Sequence, residues 1–264
     1  MRRDVTAHLA LDVQVPATLV LQIAVATGHA LDEQLTVTSS GVRVAPRELA
    51  GRLGTRVHVV DAQVGPLVVD YRAAVAGRAD PTATTELDLL RCLRPSRYCE
   101  SDELGPTAHG EFGGLSGPDL LAAVGSWVGT RLAYVPGSSL HTDGAVRTML
   151  ARRGVCRDYA HLVVALLRAL DVPARVVAVY APGLAPMDFH AVAEAWVDGA
   201  WRVLDATTMA PRGSLVRIAT GRDAADTAFL DNHKGTISLE WLEVTAVVEG
   251  DLPYDSIDHL VSIG

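Results

Sequence analysis

Apolar and polar side chains alternate along much of the N-terminal part of the chain. The clearest run covers residues 8–15 (HLALDVQV), and a less regular one covers residues 31–37. Two valine-rich stretches, residues 55–64 and 67–75, are bounded by glycine and proline. Short runs of this kind, separated by turn residues, are typical of strands in an all-β unit. We therefore predict an antiparallel β-sandwich or an open barrel for this part of the chain.

The pattern becomes helical after a polar, turn-rich stretch over residues 95–117. Pro118 stands where proline favours the first helical turn, and residues 119–128 follow with helical apolar spacing. Thr142 and Asp143 are candidate N-caps, and they predict a short helix that ends at Ala151. Leucine and valine recur at helical spacing over residues 156–170, which predicts a longer helix.

Strand patterns return in the last third of the chain. They cover residues 174–180, 190–197, 201–204 and 237–248. The dipeptide Asp198-Gly199 between two of these runs is a strong signal for a tight β-hairpin. Helices followed by an antiparallel sheet indicate an α+β arrangement for the second half of the chain.

Composition and charge exclude several classes of protein. The chain has 264 residues, of which 49% are hydrophobic and 20% charged, so a packed globular protein is expected rather than a disordered one. A formal net charge of −8 argues against nucleic acid as a partner. No stretch approaches the roughly 20 apolar residues of a membrane span, and Gln22 interrupts the best candidate for a signal peptide, so we expect no membrane partner and a strand near the N-terminus.

The three cysteines are Cys92, Cys99 and Cys156, an odd number that cannot all pair within one chain. Disulfide scaffolds of secreted proteins usually carry more cysteines in even number. We therefore expect a reducing compartment, a cytoplasmic location and at least one free thiol.

Cys156 is the cysteine with an electronic reason to be reactive, because it opens the predicted helix over residues 156–170. Free backbone N–H groups and the helix dipole favour the thiolate there. A cysteine nucleophile also needs a base and a group that orients the base. The predicted hairpin places residue 190 opposite residue 207, so His190 and Asp205 are expected at the same end of it. We predict Cys156 as nucleophile, His190 as base and then acid, and Asp205 as the carboxylate that orients the imidazole.

The residues around this cysteine closely resemble the transglutaminase-like superfamily, and residues 93–99 (LRPSRYC) and 221–226 (GRDAAD) resemble its bacterial branch. The similarity lies in GVCRDYAHL (154–162), ALLRALDVPAR (165–175), HAVAEAW (190–196), GAW (199–201) and DAT (205–207). It implies a papain-like core with a Cys–His–Asp triad, carried onto Cys156, His190 and Asp205. Val192 departs from the family, which often has an aromatic residue two positions after the histidine; this leaves the shape of the pocket open.

The resemblance also implies a β-rich domain ahead of the core. Together with the patterns above it predicts an α+β chain of two domains. Residues 1–110 would form an N-terminal antiparallel β-sandwich-like domain, and residues 111–264 a transglutaminase-like catalytic domain.

The predicted chemistry is attack of the thiolate on a peptide or protein amide, which gives a thioester. Water would then make the protein a protease or amidase, whereas an amine would make it a transglutaminase. The residues do not choose between these outcomes, although the bacterial branch favours hydrolysis. The alternative is a catalytically inactive binding or scaffold module that keeps the fold. The backbone N–H of Cys156 is expected to be one donor of the oxyanion hole. The sequence does not indicate a second donor.

We expect no cofactor and no metal. Cys92 and Cys99 lack further cysteine or histidine ligands at zinc spacing, and no calcium-loop pattern occurs. The sequence does not indicate the oligomeric state.

Five residues near the triad have a structural and a functional interpretation. His161 is expected to be a hydrogen-bonded core residue, and Asp158 to stabilise the helix N-terminus. Glu194 shares a strand face with His190, as an ion-pair partner or a polar neighbour of the site. Tyr134 and Trp127 either line the cleft or belong to the core.

Overall fold

The chain divides into long strands near its N-terminus and a helical region followed by a second set of strands. The structure is a computed structural model and describes residues 1–80 and 83–264. The strands are β1 (Arg2–Val15), β2 (Ala17–Leu21), β3 (Ala30–Ser39), β4 (Val42–Val44), β5 (Arg47–Ala50), β6 (Arg56–Ala62), β7 (Gly65–Ala76), β8 (Ala133–Tyr134), β9 (Arg153–Gly154), β10 (Ala174–Tyr180), β11 (Phe189–Val197), β12 (Ala200–Leu204), β13 (Val216–Gly221), β14 (Leu230–His233) and β15 (Thr236–Val248). The helices are α1 (Glu86–Arg91), α2 (Gly105–Phe112), α3 (Gly117–Arg131), α4 (Ala145–Ala151), α5 (Cys156–Ala169) and α6 (Ala224–Thr227).

Two antiparallel sheets bury the alternating apolar positions of the N-terminal strands. One sheet has the strand order β15-β1-β7-β3-β4, and the other has the order β14-β2-β6-β5. In β1 the side chains of Val5, Leu9 and Val13 are buried, as the period of two requires. They join a continuous core with apolar residues of β2, β6 and β7. The antiparallel sandwich-like arrangement predicted from alternation is confirmed.

A second layer combines helices with an antiparallel sheet of order β12-β11-β10-β13. Helix α5 packs against β10 and β11, and α3 and α4 pack against α5. Leu162 and Leu166 of α5 are fully buried with Ala193 and Ala195 of β11 in one cluster. The α+β class predicted for the chain is confirmed, and this layer positions the candidate site.

Strands from the C-terminal part of the chain complete both sheets of the sandwich. β15 pairs with β1, and β14 pairs with β2. The division into residues 1–110 and 111–264 stays a prediction. The sandwich draws strands from both of these ranges.

Two local predictions differ from the structure. The short helix begins at Ala145 with Gly144 as its N-cap, and neither residue predicted as a cap fulfils that role. The Asp143 carboxylate instead accepts a hydrogen bond from the Leu140 N–H at 2.9 Å, which closes the preceding turn. This local bond competes with capping, as is common for aspartate.

The turn-rich stretch over residues 95–117 also contains a helix that the pattern does not indicate. Helix α2 has the sequence GPTAHGEF, with two glycines and a proline. Glycine lowers intrinsic helix propensity, so the sequence favours a loop. Burial of Ala108 and Phe112 in the core around α5 outweighs that preference.

The N-terminal residues form β1, as expected from their alternation. Within residues 1–80 and 83–264, no helix combines the length and the apolar character that crossing a membrane would need.

Candidate active site

Cys156 is the first residue of α5, and the turn around it is fixed by Asp158. The Val155 N–H donates to Asp158 Oδ2 at 2.8 Å, and the Ser139 hydroxyl donates to Asp158 Oδ1 at 2.9 Å. A Cβ on Gly154 would stand 2.7 Å from the Asp158 Cβ, so only glycine fits before this turn. The expected role of Asp158 in stabilising the helix N-terminus is confirmed, and the Gly-Val-Cys sequence has a steric reason.

Tyr134 lies beside Cys156 because β8 and β9 pair in parallel. Tyr134 is opposite Gly154 in this pairing, two residues before the cysteine. Its phenol lies close enough to the backbone N–H and the side chain of Cys156 for both to affect its pKa. Burial, followed by the charge of the Cys156 thiolate, raises the pKa of Tyr134 to about 12, so the phenol keeps its proton. Tyr134 therefore belongs to the candidate cleft and not to the core.

His190 is the second residue of β11 and points into the buried part of the site. Its Nε2 atom lies 2.8 Å from Asp205 Oδ2, and both residues are buried. The hairpin places them together: Asp198 and Gly199 have φ of 52° and 70°, and Ala193 is opposite Leu204. Positive φ at both central turn positions is the requirement of a type I′ hairpin. Asp205 follows directly after β12, where the sequence pattern predicted it.

The Asp205 carboxylate is held on its other oxygen by Thr207. The Thr207 N–H and hydroxyl donate to Asp205 Oδ1 at 3.0 and 2.7 Å. Burial alone would raise the pKa of Asp205, but the His190 charge and these hydrogen bonds lower it. The carboxylate is therefore ionised and oriented where it meets the imidazole.

The imidazole of His190 is influenced by both of its partners. Burial disfavours the imidazolium, but the charge and hydrogen bond of Asp205 and the contact with Cys156 raise the pKa of His190 to about 10. Since Nε2 is bonded to Asp205, the Nδ1 atom is the ring nitrogen left for the thiol. The structure thus brings Cys156, His190 and Asp205 together in the order thiol, imidazole, carboxylate.

Asp188 is a residue near the site that the sequence analysis does not single out. It precedes β11, and one of its oxygens accepts from the Phe189 N–H at 2.7 Å. Burial raises its pKa, while that hydrogen bond and the charge of His190 oppose the rise. Its charge also acts on Tyr134. No motif marks Asp188, and only its position two residues before the histidine could have drawn attention to it.

Val192 and Glu194 lie further along the same strand. Val192 is buried in an apolar cluster with Val177 and Val203, so this position is a packing site here. Glu194 is fully buried and bonded to two arginines, Arg175 at 2.6 Å and Arg217 at 2.6 Å. The ion-pair interpretation of Glu194 is the one that the structure supports.

Trp127 belongs to the helical packing. Its ring meets Phe112 edge-on at 5.9 Å between centroids, and its indole N–H donates to Glu111 at 2.9 Å. Of the two aromatic residues considered for the cleft, only Tyr134 lies at the cysteine. Among the described residues, no group of three or more histidine, cysteine or acidic side chains is arranged to hold a metal ion.

His161 lies on α5 but is a core residue, as expected. It is fully buried, stacks on Tyr98 at 5.3 Å, and its Nε2 accepts from the Ala224 N–H at 3.1 Å. Because it accepts this bond, the ring must be neutral. Burial lowers its pKa to about 3.

This buried histidine is expected to make the protein sensitive to acid. The pKa of His161 is about 3 in the folded state against 6.5 as the ordinary value, so its stabilising contribution is complete above pH 6.5 and is lost as the pH falls. Between pH 7.5 and 5 we expect it to remove about 2 kcal/mol of unfolding free energy. Urea unfolding of the parent and of His161→Phe measures this, because the variant should lack that part of the pH slope. Identical slopes would contradict the assignment.

A family model described as the transglutaminase-like superfamily matches residues 116–206. The crystal structure of a "putative cysteine protease" from Cytophaga hutchinsonii is 31% identical in sequence, covers 98% of this chain and 96% of that chain, and has a TM-score of 0.88. An uncharacterized protein of Mycobacterium leprae, ML0607, is 29% identical over 120 residues, which is 41% of this chain and 42% of that protein. The match therefore spans less than half the length of this curated relative.

Proposed function

Because this chain belongs to the transglutaminase-like superfamily, we propose that it is a cysteine-dependent enzyme acting on amide bonds of peptides or proteins. The observation that carries the proposal is the arrangement of Cys156, His190 and Asp205 around one imidazole. Cys156 would be the nucleophile, His190 the base and acid, and Asp205 the orienting carboxylate. The 2.8 Å contact between His190 Nε2 and Asp205 leaves Nδ1 as the ring nitrogen available to the thiol.

The reaction starts from a thiolate–imidazolium pair, in which the Cys156 proton has already passed to His190 Nδ1, as the raised pKa of His190 favours. The thiolate attacks the carbonyl carbon, a C–S bond forms and the carbonyl oxygen becomes an oxyanion. The tetrahedral intermediate collapses, the C–N bond breaks, and the imidazolium gives its proton to the departing amine. A thioester on Cys156 remains. Water, deprotonated by His190, then attacks the thioester and releases the carboxylic acid and the free thiol.

Tyr134 supplies the second oxyanion donor in this proposal. The Cys156 N–H at the start of α5 is the first donor. The Tyr134 phenol lies near that same N–H and near the thiol, so its hydroxyl can donate to an oxygen developing there. A pKa of about 12 keeps this donor protonated over the working pH range.

Replacement of Tyr134 by phenylalanine is expected to lower kcat/KM about 100-fold, the usual cost of losing one oxyanion donor. KM should change little, because the bond forms mainly in the transition state. The matched control is Tyr254→Phe, which removes the same hydroxyl from a side chain that is 87% exposed. Steady-state kinetics of both variants give the comparison, and equal activities would remove Tyr134 from the mechanism.

Hydrolysis is the reaction direction we propose. The 31% identical structure from Cytophaga hutchinsonii is described as a "putative cysteine protease", and it covers nearly the whole of this chain. Transamidation uses the same triad and differs only in the nucleophile that resolves the thioester. A cytoplasmic location remains part of the proposal on the basis of the three unpaired cysteines.

The test is an assay on a library of peptides and on an unfolded protein substrate, with and without an added primary alkylamine. Mass spectrometry distinguishes the products. Cleaved peptides whose amount does not depend on the amine are the expected result. Amine-conjugated products in place of cleavage would replace hydrolysis by transamidation. Neither product from any substrate would favour the alternative, a binding or scaffold module.

A further inference from the structure

A cavity lined by apolar and charged side chains, the seam cavity, lies between the sandwich and the helical layer, apart from the candidate active site. It has a volume of about 290 Å³. Its walls come from β2, the loop before β6, the helix α1, and the strands β10 and β13. Its lining includes neither Cys156, His190 nor Asp205. The cavity is therefore lined by residues of both halves of the molecule. It is not part of the proposed mechanism.

Positive charge predominates in the lining of this seam cavity. Four arginines, Arg52, Arg91, Arg175 and Arg222, face two aspartates there. Asp88 pairs with Arg52 at 2.6 Å, and Asp226 pairs with Arg222 at 2.9 Å. Two guanidinium groups remain after these pairs are formed.

The first of these is the guanidinium of Arg175, which is buried. Its Nε and Nη2 both bond to Glu194, at 2.8 and 2.6 Å, and its plane lies on the ring of Trp201 at 3.8 Å. The Nη1 atom is buried and has no hydrogen-bond partner. Buried polar groups of native proteins are almost always bonded, so an unpartnered guanidinium N–H beside a cavity indicates a missing acceptor. Glu194 does not neutralise Arg175 alone, because it also pairs with Arg217.

The second is the guanidinium of Arg91, at the end of α1. Within the described ranges it forms neither a hydrogen bond nor an ion pair. It lies close enough to Asp226 and Cys92 for its charge to lower the pKa of both. It is half-buried, so it can turn towards the cavity without leaving water entirely. Arg91 and Arg175 thus both line this cavity, and neither guanidinium has all of its N–H donors bonded.

We propose that the seam cavity binds a small phosphate-class oxyanion, either free phosphate or a phosphate monoester. Guanidinium groups match such oxyanions in geometry and charge. The anion accepts from Arg175 Nη1 and from Arg91, and the paired arginines Arg52 and Arg222 complete a positive surrounding. Binding joins α1 and β10, so it stabilises the contact between the sandwich and the helical layer.

The test is calorimetric titration of the intact protein with inorganic phosphate and, separately, glycerol 3-phosphate, in chloride buffers of matched ionic strength. We expect saturable binding of at least one of them and a melting temperature that rises with its concentration. Preference between the two distinguishes free phosphate from a monoester. Absence of saturable binding of both would overturn the proposal.

Three variants locate the binding. Arg91→Gln should weaken it about tenfold or more, as expected for loss of a charged hydrogen bond. Arg43→Gln removes the same charge from an exposed position on β4 and should leave it unchanged. Asp226→Asn should strengthen binding severalfold, because it removes a competing carboxylate and frees Arg222. Binding that ignores Arg91 and Asp226 would place the anion elsewhere and would also overturn the proposal.

Discussion

Replacement of Cys156 by alanine is expected to reduce kcat/KM at least about 10⁴-fold, because no other group of the site can form the thioester. The fold should persist. Cys156 is only partly buried, and α5 keeps the Asp158 cap and its buried apolar face without the thiol. Turnover on the most active peptide substrate, with a circular dichroism spectrum and a melting temperature for each protein, measures both parts of the expectation.

The matched control for this variant is Cys92→Ala, which removes a thiol from the buried end of α1. Burial raises the pKa of Cys92, so this thiol is a poor nucleophile and activity should remain close to that of the parent. Residual activity of Cys156→Ala within about tenfold of the parent would be too high for loss of a nucleophile. The triad would then have to be abandoned, and the alternative of a binding module would gain support.

Asp205→Asn is expected to lower kcat about 10²- to 10⁴-fold with little change in KM, following the cost of removing the orienting carboxylate in comparable triads. The amide keeps the shape of the carboxylate but carries no charge. The pKa of His190, about 10 in the parent, should therefore fall towards 6.5. An NMR titration of the His190 ring measures the pKa, and kinetics on the same sample measure kcat.

The same pair gives a pH window for stability. The pKa of His190 is raised from 6.5, so its contribution is complete below that pH and is lost as the pH rises towards 10. The pKa of Asp205 is lowered from 3.8, so its contribution is present above that value and is lost in acid. The difference in unfolding free energy between the parent and Asp205→Asn should thus be largest between pH 4 and 6.5. A difference that grows from pH 7 to 10 would contradict the proposed ion pair.

Thr207→Val is a milder companion to this variant. It removes the 2.7 Å bond to Asp205 Oδ1 but leaves the carboxylate and the backbone bond at 3.0 Å in place. Its loss of activity should be much smaller than that of Asp205→Asn. Equal losses of activity in the two variants would mean that the orientation of the Asp205 side chain is more important than its charge.

The parts of the site that depend on local sequence could be predicted. The start of α5 at Cys156 follows from glycine before the helix and leucines within it. The approach of His190 to Asp205 follows from a two-residue turn, because the register of a tight hairpin fixes every later pair. Asp158 and His161 could be placed because helical geometry turns one towards the N-terminus and the other into the core.

The parts that depend on contacts between distant segments could not be assigned. Tyr134 reaches Cys156 through a parallel pairing of two residues on each side, too short to leave a pattern. The pairing of β15 with β1 brings together segments from near the two ends of the chain, and the sequence of neither strand indicates its partner. Helix α2 forms against its own propensity, because burial of Phe112 decides the outcome. The seam cavity likewise combines residues from both halves of the sequence.

The most direct measurement of the central claim is brief, limiting alkylation with iodoacetamide between pH 5 and 9, followed by intact-mass analysis and peptide mapping. Cys92 and Cys99 are buried, and burial raises the pKa of both, that of Cys99 to about 12. Cys156 is more accessible and lies beside His190, so it should carry nearly all of the label throughout this range. The preference should weaken in His190→Ala. Slow labelling spread evenly over the three cysteines would contradict a nucleophilic Cys156 and, with it, the proposed enzyme.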